Sequence, residues 1–192
     1  MKYKANFQEE YLINSNLLGA KTLNELEQLE KVAFYIAEGL MEQEGYEFLF
    51  PLTISSIKLL HKKLFERVYS FAGEFRDVSL MKECTRFCEP QYINTNLNLL
   101  INEYRLENEW SDVKTAAEKL AYFKTELNMI HPFREGNGRT IRIIIREMAK
   151  RKGFEWRTDL LDRENYLDAM RISSWDEKLL IVIFENTLFP SD

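Results

Sequence analysis

A chain of 192 residues is long enough to bury a sizeable core in one domain. With 13% aromatic residues and only 7 Gly and 4 Pro, the composition excludes a disordered or low-complexity protein and favours a helical, well-packed one. The formal net charge of −5 argues against nucleic acid as the main partner, because phosphate backbones select basic surfaces, whereas a small anionic ligand depends only on local cations.

The first ten residues are charged and hold no apolar run, so neither a signal peptide nor a bilayer-crossing span is expected. A cytoplasmic protein with no membrane partner is the expectation. Residues 1–21 show no clean period and read as an arm, followed by a single domain over residues 22–192. That domain opens with Thr22 as N-cap and Glu25 as its capping-box partner. Leu23, Leu26, Leu29, Ala33, Ile36, Ala37 and Leu40 then fall on one helical face. Pro51 interrupts the pattern, and Thr53 caps a second helix with Ile57, Leu60, Leu64, Phe65 and Val68 along one side.

Gly73 closes that region. Phe75 to Phe87 is richer in strand formers and lacks a helical period, which predicts a short β-hairpin or extended flap ending at Pro90. Within it stands Cys84, with Cys88 just beyond. The pair is not spaced as CxxC, and two thiols beside only two histidines make a poor zinc set, so both are expected to be reduced and structural.

Ile93, Leu97, Leu100, Ile101 and Tyr104 mark a third helix. Ser111 is the expected cap of a fourth, which Pro132 should stop near Ile130. A fifth is expected from about Gly138 to Lys152, its end marked by Lys150, Arg151, Lys152 and then Gly153. Two shorter helices are expected around 163–170 and 176–188. The fold class is all-α, with one small β element.

Between the fourth and fifth helices lies the run His131-Pro132-Phe133-Arg134-Glu135-Gly136-Asn137-Gly138-Arg139-Thr140-Ile141-Arg142. Gly136 and Gly138 allow positive φ and close approach of backbone to a ligand at a helix N-terminus, where unpaired N–H groups and the helix dipole favour phosphate. Asn137 adds an amide donor or tolerates the left-handed conformation. Arg139, Arg142 and Arg146 share one helical face, and their planar forks suit further oxyanions. A carboxylate at Glu135, beside such donors, fits a Mg²⁺ ion lying between it and bound phosphates. His131 titrates near neutrality and can take a proton from a hydroxyl that attacks phosphorus. Phe133 is expected to anchor the loop in the core.

This run matches the signature HPFx(D/E)GNGRxxR of the Fic family at every fixed position. The segment from His61 to Arg76 resembles the helix and turn that precede the family's flap, and Val78 to Phe87 resembles the flap itself. The similar region spans about Leu23 to Phe189. The resemblance implies a Fic-like bundle of about 6–8 helices with a β-hairpin flap. It also implies a protein adenylyltransferase, which moves AMP from ATP to a Ser, Thr or Tyr hydroxyl of a target protein and releases pyrophosphate.

Carried over by position, His131 is the general base and Glu135 the Mg²⁺ ligand. Gly136, Asn137 and Gly138 cradle the α- and β-phosphates, with Asn137 facing the α-phosphate. Arg139 grips the β-phosphate and Arg142 the γ-phosphate. The target is expected to pair with the flap, about residues 78–87. Lys82 is a flap contact to the nucleotide, although Glu83 stands where relatives often have Gly. His61 is read as structural.

Many Fic proteins are restrained by a helix bearing (S/T)xxxE(G/N), whose Glu pairs with the second motif arginine. Glu38-Gly39 and Glu185-Asn186 come near that pattern but lack the leading hydroxyl. Inhibition by an antitoxin-type partner, or none, is therefore expected over self-inhibition. A Doc-type phosphotransferase, with Lys where this chain has Gly138, a de-AMPylating enzyme and a non-catalytic helical interaction module are the competing readings.

Overall fold

The computed structural model describes residues 2–82 and 85–191, with side chains from Gln8 onward; Met1, Glu83, Cys84 and Asp192 lie outside the described residues. The expectations for Cys84 and for Glu83 at the flap tip therefore fall outside them as well. Among the described residues there are eight α-helices and two antiparallel strand pairs, the expected all-α architecture with its small flap hairpin. No helix among them is long and apolar enough to cross a membrane. Contacts gather the chain into two compact units, residues 1–75 and 76–192.

The first unit holds α1 (Lys2–Ser15), α2 (Leu23–Glu44) and α3 (Ile54–Phe65). Most of the stretch read as an arm is helix α1; its sequence has no lateral division of apolar and polar residues, so periodicity could not announce it. Thr22 caps α2 as expected, accepting from Glu25 N–H, but the Glu25 carboxylate takes the Lys21 N–H instead of closing the box on Thr22. The buried face of α2 is rotated from the expected one. Leu26, Phe34 and Met41 are inside, while Leu29, Ile36 and Leu40 are exposed. Two apolar stripes overlap on this helix, and pattern alone does not say which one meets the core.

In α3 the capping box is complete, Thr53 and Ser56 exchanging two 2.9 Å bonds. Ile57, Leu60, Leu64, Phe65 and Val68 are all buried as read. His61 is fully buried, and its Nδ1 accepts the Gly73 N–H at 2.9 Å, which makes it the structural histidine anticipated. Gly73 has φ 84°, and a Cβ there would stand 2.9 Å from Lys62 Cβ, so both conformation and space require glycine.

The second unit opens with β1 (Met81–Lys82) and β2 (Thr85–Arg86), paired Met81 to Arg86 and Lys82 to Thr85. Then come α4 (Ile93–Leu106), α5 (Val113–Ile130), α6 (Asn137–Arg151), β3 (Phe154–Trp156), α7 (Arg163–Ile172), α8 (Lys178–Thr187) and β4 (Leu188–Pro190). The cap of α5 is Asp112, not Ser111; its carboxylate accepts the Thr115 N–H at 2.8 Å. Strands β3 and β4 pair antiparallel and have no counterpart in the sequence reading, because three residues are too few to show a period of two.

Helix α5 is the centre of this unit, packed by α4, α6 and α8. Ala116, Ala117 and Ala121 on its buried surface allow close approach. Helix α6 buries Ile141, Ile143, Ile144, Ile145 and Met148. Helices α5 and α6 thus pack through apolar faces, and the turn joining the two is the motif.

Lys124 is buried inside this unit with its Nζ 5.7 Å from the Trp156 ring and 5.4 Å from the Tyr166 ring. Burial, with Arg142 as the acting charge, pulls its ammonium down to about 7. The unfolded chain holds that proton up to the ordinary lysine value, about 10.4, so this group's contribution to stability rises with pH between the two values. Lys124→Met should therefore raise stability by about 1–3 kcal/mol at neutral pH. In denaturant titrations the gap over the parent chain should shrink as pH climbs toward 10; a gap that does not change with pH would show that the lysine carries no such penalty.

Candidate functional site

The motif begins where α5 ends. His131 is the C-cap of α5, with φ 47°, the one non-glycine residue at positive φ among the described residues. A β-carbon in that region costs about 1–2 kcal/mol, so the surroundings must hold it there. They do so largely through Arg76, which is buried just before the flap. Its Nε donates to the His131 carbonyl at 2.7 Å, Nη1 to the Val78 carbonyl at 2.6 Å, and Nη2 to the carbonyls of Cys88 and, at 3.2 Å, Ile130. Its backbone N–H reaches the Pro132 carbonyl at 2.9 Å. One guanidinium thus ties both ends of the flap to the end of α5.

On the imidazole itself, Nδ1 lies 3.2 Å from the Asn128 carbonyl. A carbonyl can only accept, so Nδ1 carries the proton and Nε2 keeps its lone pair. The ring is stacked on Phe87, centroids 3.8 Å apart and planes 9° from parallel. Burial pushes the imidazole down to about 4. The Asn128 hydrogen bond works the other way, while Arg76 and Lys82 add to the lowering. The base form is therefore the resident form at neutral pH.

Beyond His131 the chain turns into α6. Phe133 is buried, as expected of an anchor, and its backbone is clamped by the Asn137 amide: N–H to Oδ1 at 2.8 Å, and carbonyl to Nδ2 at 2.8 Å. Asn137 thus braces the loop, and for a phosphate it has left its second Nδ2 hydrogen and its backbone N–H. Gly136 is the N-cap of α6 at φ 78° and supplies no side-chain cap, so the first backbone donors of the helix are left to a ligand or to water. A Cβ on Gly138 would meet nothing within 4 Å, which leaves open space over that turn.

Around the turn the charged side chains pair among themselves. Glu135 accepts the Gly136 N–H at 2.9 Å and stands 3.6 Å from Arg139. Arg146 pairs with Glu147 at 3.3 Å. Arg142 makes no hydrogen bond or ion pair with any described residue. The exposed Glu185 is accordingly not its partner, and Glu38 belongs to α2 in the first unit. Lys82 is exposed on β1 and close enough to His131 to act on it electrostatically. A cleft of about 620 Å³ opens beside the flap, lined among others by Arg86, Phe87, Glu89, Tyr92, Glu126 and Ile130.

The turn, the base, the acid and the two arginines expected from sequence therefore lie within one unit. Two residues that shape the site were missed, Arg76 and Phe87. Arg76 fell inside the segment matched to the family, yet nothing in its neighbours marks a buried arginine; Phe87 looked like the last apolar residue of a flap.

The profile of the Fic/DOC family matches residues 51–149. Among curated proteins, the chain is 32% identical to protein adenylyltransferase VbhT of Bartonella schoenbuchensis over 80% of its length, but spans only about a third (32%) of that protein. It is 31% identical to a probable protein adenylyltransferase, y4lH, of Sinorhizobium fredii, covering 77% of this chain and 76% of the relative. A solved structure of BepC from Bartonella tribocorum, with bound AMPPNP, superposes with TM-score 0.80 at 20% identity over 92% of each chain, a likeness of fold. With its signature run intact and inside the matched region, the chain belongs to the Fic/DOC family.

Proposed function

We propose that the protein transfers AMP from ATP to a hydroxyl-bearing side chain of a target protein. The observation that carries this reading is the pairing of an imidazole whose Nε2 lone pair is free of its own proton with an uncapped helix N-terminus one short loop away. The relatives named as adenylyltransferases, and the AMPPNP in the BepC structure, support it.

In this reading the α- and β-phosphates lie on the first N–H groups of α6, with Arg139 and Arg142 beyond them for the β- and γ-phosphates. The target hydroxyl attacks the α-phosphorus, and Nε2 of His131 takes its proton. The bond from the α-phosphorus to the bridging oxygen breaks, and pyrophosphate leaves. Low basicity of the resting imidazole is not an obstacle, because the hydroxyl proton becomes far more acidic as its oxygen bonds to phosphorus.

Among the described residues no group of three His, Cys, Asp or Glu side chains gathers to hold a metal unaided. A single carboxylate beside the turn, Glu135, suits a Mg²⁺ ion held mainly by the nucleotide's own oxygens. Such an ion would neutralise phosphate charge. The flap, with Lys82 over the nucleotide side, offers its edge to an extended target segment. Action in the cytoplasm is part of this reading. An antitoxin-type partner could reach Arg142, which is left without a carboxylate by the described residues.

The test is incubation with ATP labelled at the α- or the γ-phosphate in a lysate containing Mg²⁺. Label should pass to protein from the α position only. Transfer from the γ position only would establish the phosphotransferase reading instead, and transfer from neither would return the chain to a binding module.

A further inference from the structure

The His131 side chain turns about two rotatable bonds, and the ring's hydrogen bond, 3.2 Å from Nδ1 to the Asn128 carbonyl, does not by itself fix the plane of the ring. The missing restraint is aromatic. Phe87 lies flat against the imidazole at 3.8 Å and 9°. Phe87 is itself held from two sides. Its N–H donates to the Leu80 carbonyl at 3.2 Å, and the next residue, Cys88, donates to the Met129 carbonyl of α5 at 2.9 Å and accepts from Arg76. At that spacing no water fits between the two faces.

We infer that Phe87 is a positioning residue for the base: its ring fixes the plane of the His131 imidazole and keeps water from one face, so that the Nδ1–H tautomer persists and Nε2 stays aimed outward. The inference rests on His131 being the general base. It deepens that reading by making the flap part of the base's scaffold as well as a docking edge. The charges that act on the ring are the Arg76 guanidinium, packed under the α5 terminus, and the Lys82 ammonium on β1; both disfavour the imidazolium, and the Asn128 carbonyl favours it. Removing the aromatic cover readmits water and weakens the largest of the influences that hold the ring neutral.

The chain has only two histidines, so histidine-selective ¹⁵N labelling gives two spin systems, and the sealed His61 serves as an internal reference. In the parent chain His131 should remain neutral and protonated on Nδ1 down to about pH 4. In Phe87→Ala it should titrate at least about one unit higher, with Nε2–H tautomer appearing; Phe87→Tyr should behave as the parent. In the transfer assay Phe87→Ala should lower kcat about tenfold while KM for ATP holds. If Phe87→Ala does not fold, Phe87→Leu, which keeps the apolar volume and loses the flat face, is judged by the same titration and tautomer criteria. A folded variant whose His131 titration and tautomer match the parent would overturn the inference. Because these spectra need no catalysis, an inactive parent chain would sink the AMP-transfer reading without touching this result.

Discussion

His131→Ala should slow transfer of label from α-labelled ATP by roughly 10²–10⁴-fold and leave ATP binding nearly unchanged. The reasoning is geometric. The backbone at position 131 is fixed by Arg76 and by its own N–H to the Leu127 carbonyl, so removing the ring should leave the turn and the α6 N-terminus in place. Only the proton acceptor is lost. A fall in KM-independent rate with intact nucleotide affinity, measured by equilibrium binding beside single-turnover transfer, separates a chemical role from a binding one. The pH profile adds a second check. With the imidazole held at about 4, deprotonation of this group limits kcat/KM only in strongly acidic solution, so the rate should not fall between about pH 8 and pH 5.5 on its account. An acid limb at the ordinary histidine value, about 6.5, would mean that the ring is far better solvated than its packing indicates.

The second large effect is expected at Arg76. Arg76→Met fills similar volume but leaves the carbonyls of Val78, Cys88, Ile130 and His131 without their donor. Each buried acceptor stranded in this way costs on the order of 1–3 kcal/mol when water cannot reach it. Partial relaxation will recover some of that, and a net loss of about 3 kcal/mol or more is expected in denaturant titrations. Activity at temperatures where the variant is still folded should fall as well, since the positive-φ conformation of His131 loses its main support. Arg76→Lys should rescue little, because one ammonium has three donors at a point and cannot span carbonyls from the flap and from α5 at once. A Met variant with parental stability and activity would mean that the flap base and the α5 terminus are held by other contacts.

The parts of the molecule that the sequence revealed are those with long periods or rigid local chemistry. The stripe from Ile57 to Val68 and the one from Ile93 to Tyr104 are legible because an apolar stripe over three or more turns has few alternatives. The Thr53 cap and the Gly153 terminus are legible because those residues solve a local backbone problem. Helix α1 and the β3–β4 pair escaped because one has no lateral polarity and the other is three residues wide. The face of α2 was misjudged beyond Leu26 because Leu29, Ile36 and Leu40 compete with Phe34 and Met41, and only packing decides between them.

At the site, the residues proposed as donors and base stood out because phosphate chemistry calls for those residue types together. Their supports were not. The partners of Arg76 lie as far as 55 positions away, and the stack of Phe87 on His131 joins two segments that no short motif connects. Asn137 shows the same limit in reverse: its type and place were read from the motif, but its amide spends itself on Phe133 four residues back.

The most direct measurement is the structure of this chain with a non-hydrolysable ATP analogue and Mg²⁺. The α-phosphorus should sit on the backbone donors of Asn137 and Gly138, with Arg139 and Arg142 on the outer phosphates. A space for one oxygen, about 3 Å from both the phosphorus and Nε2 of His131, should remain. A nucleotide bound with its γ-phosphate at that turn, or bound away from the start of α6 altogether, would contradict AMP transfer from this site.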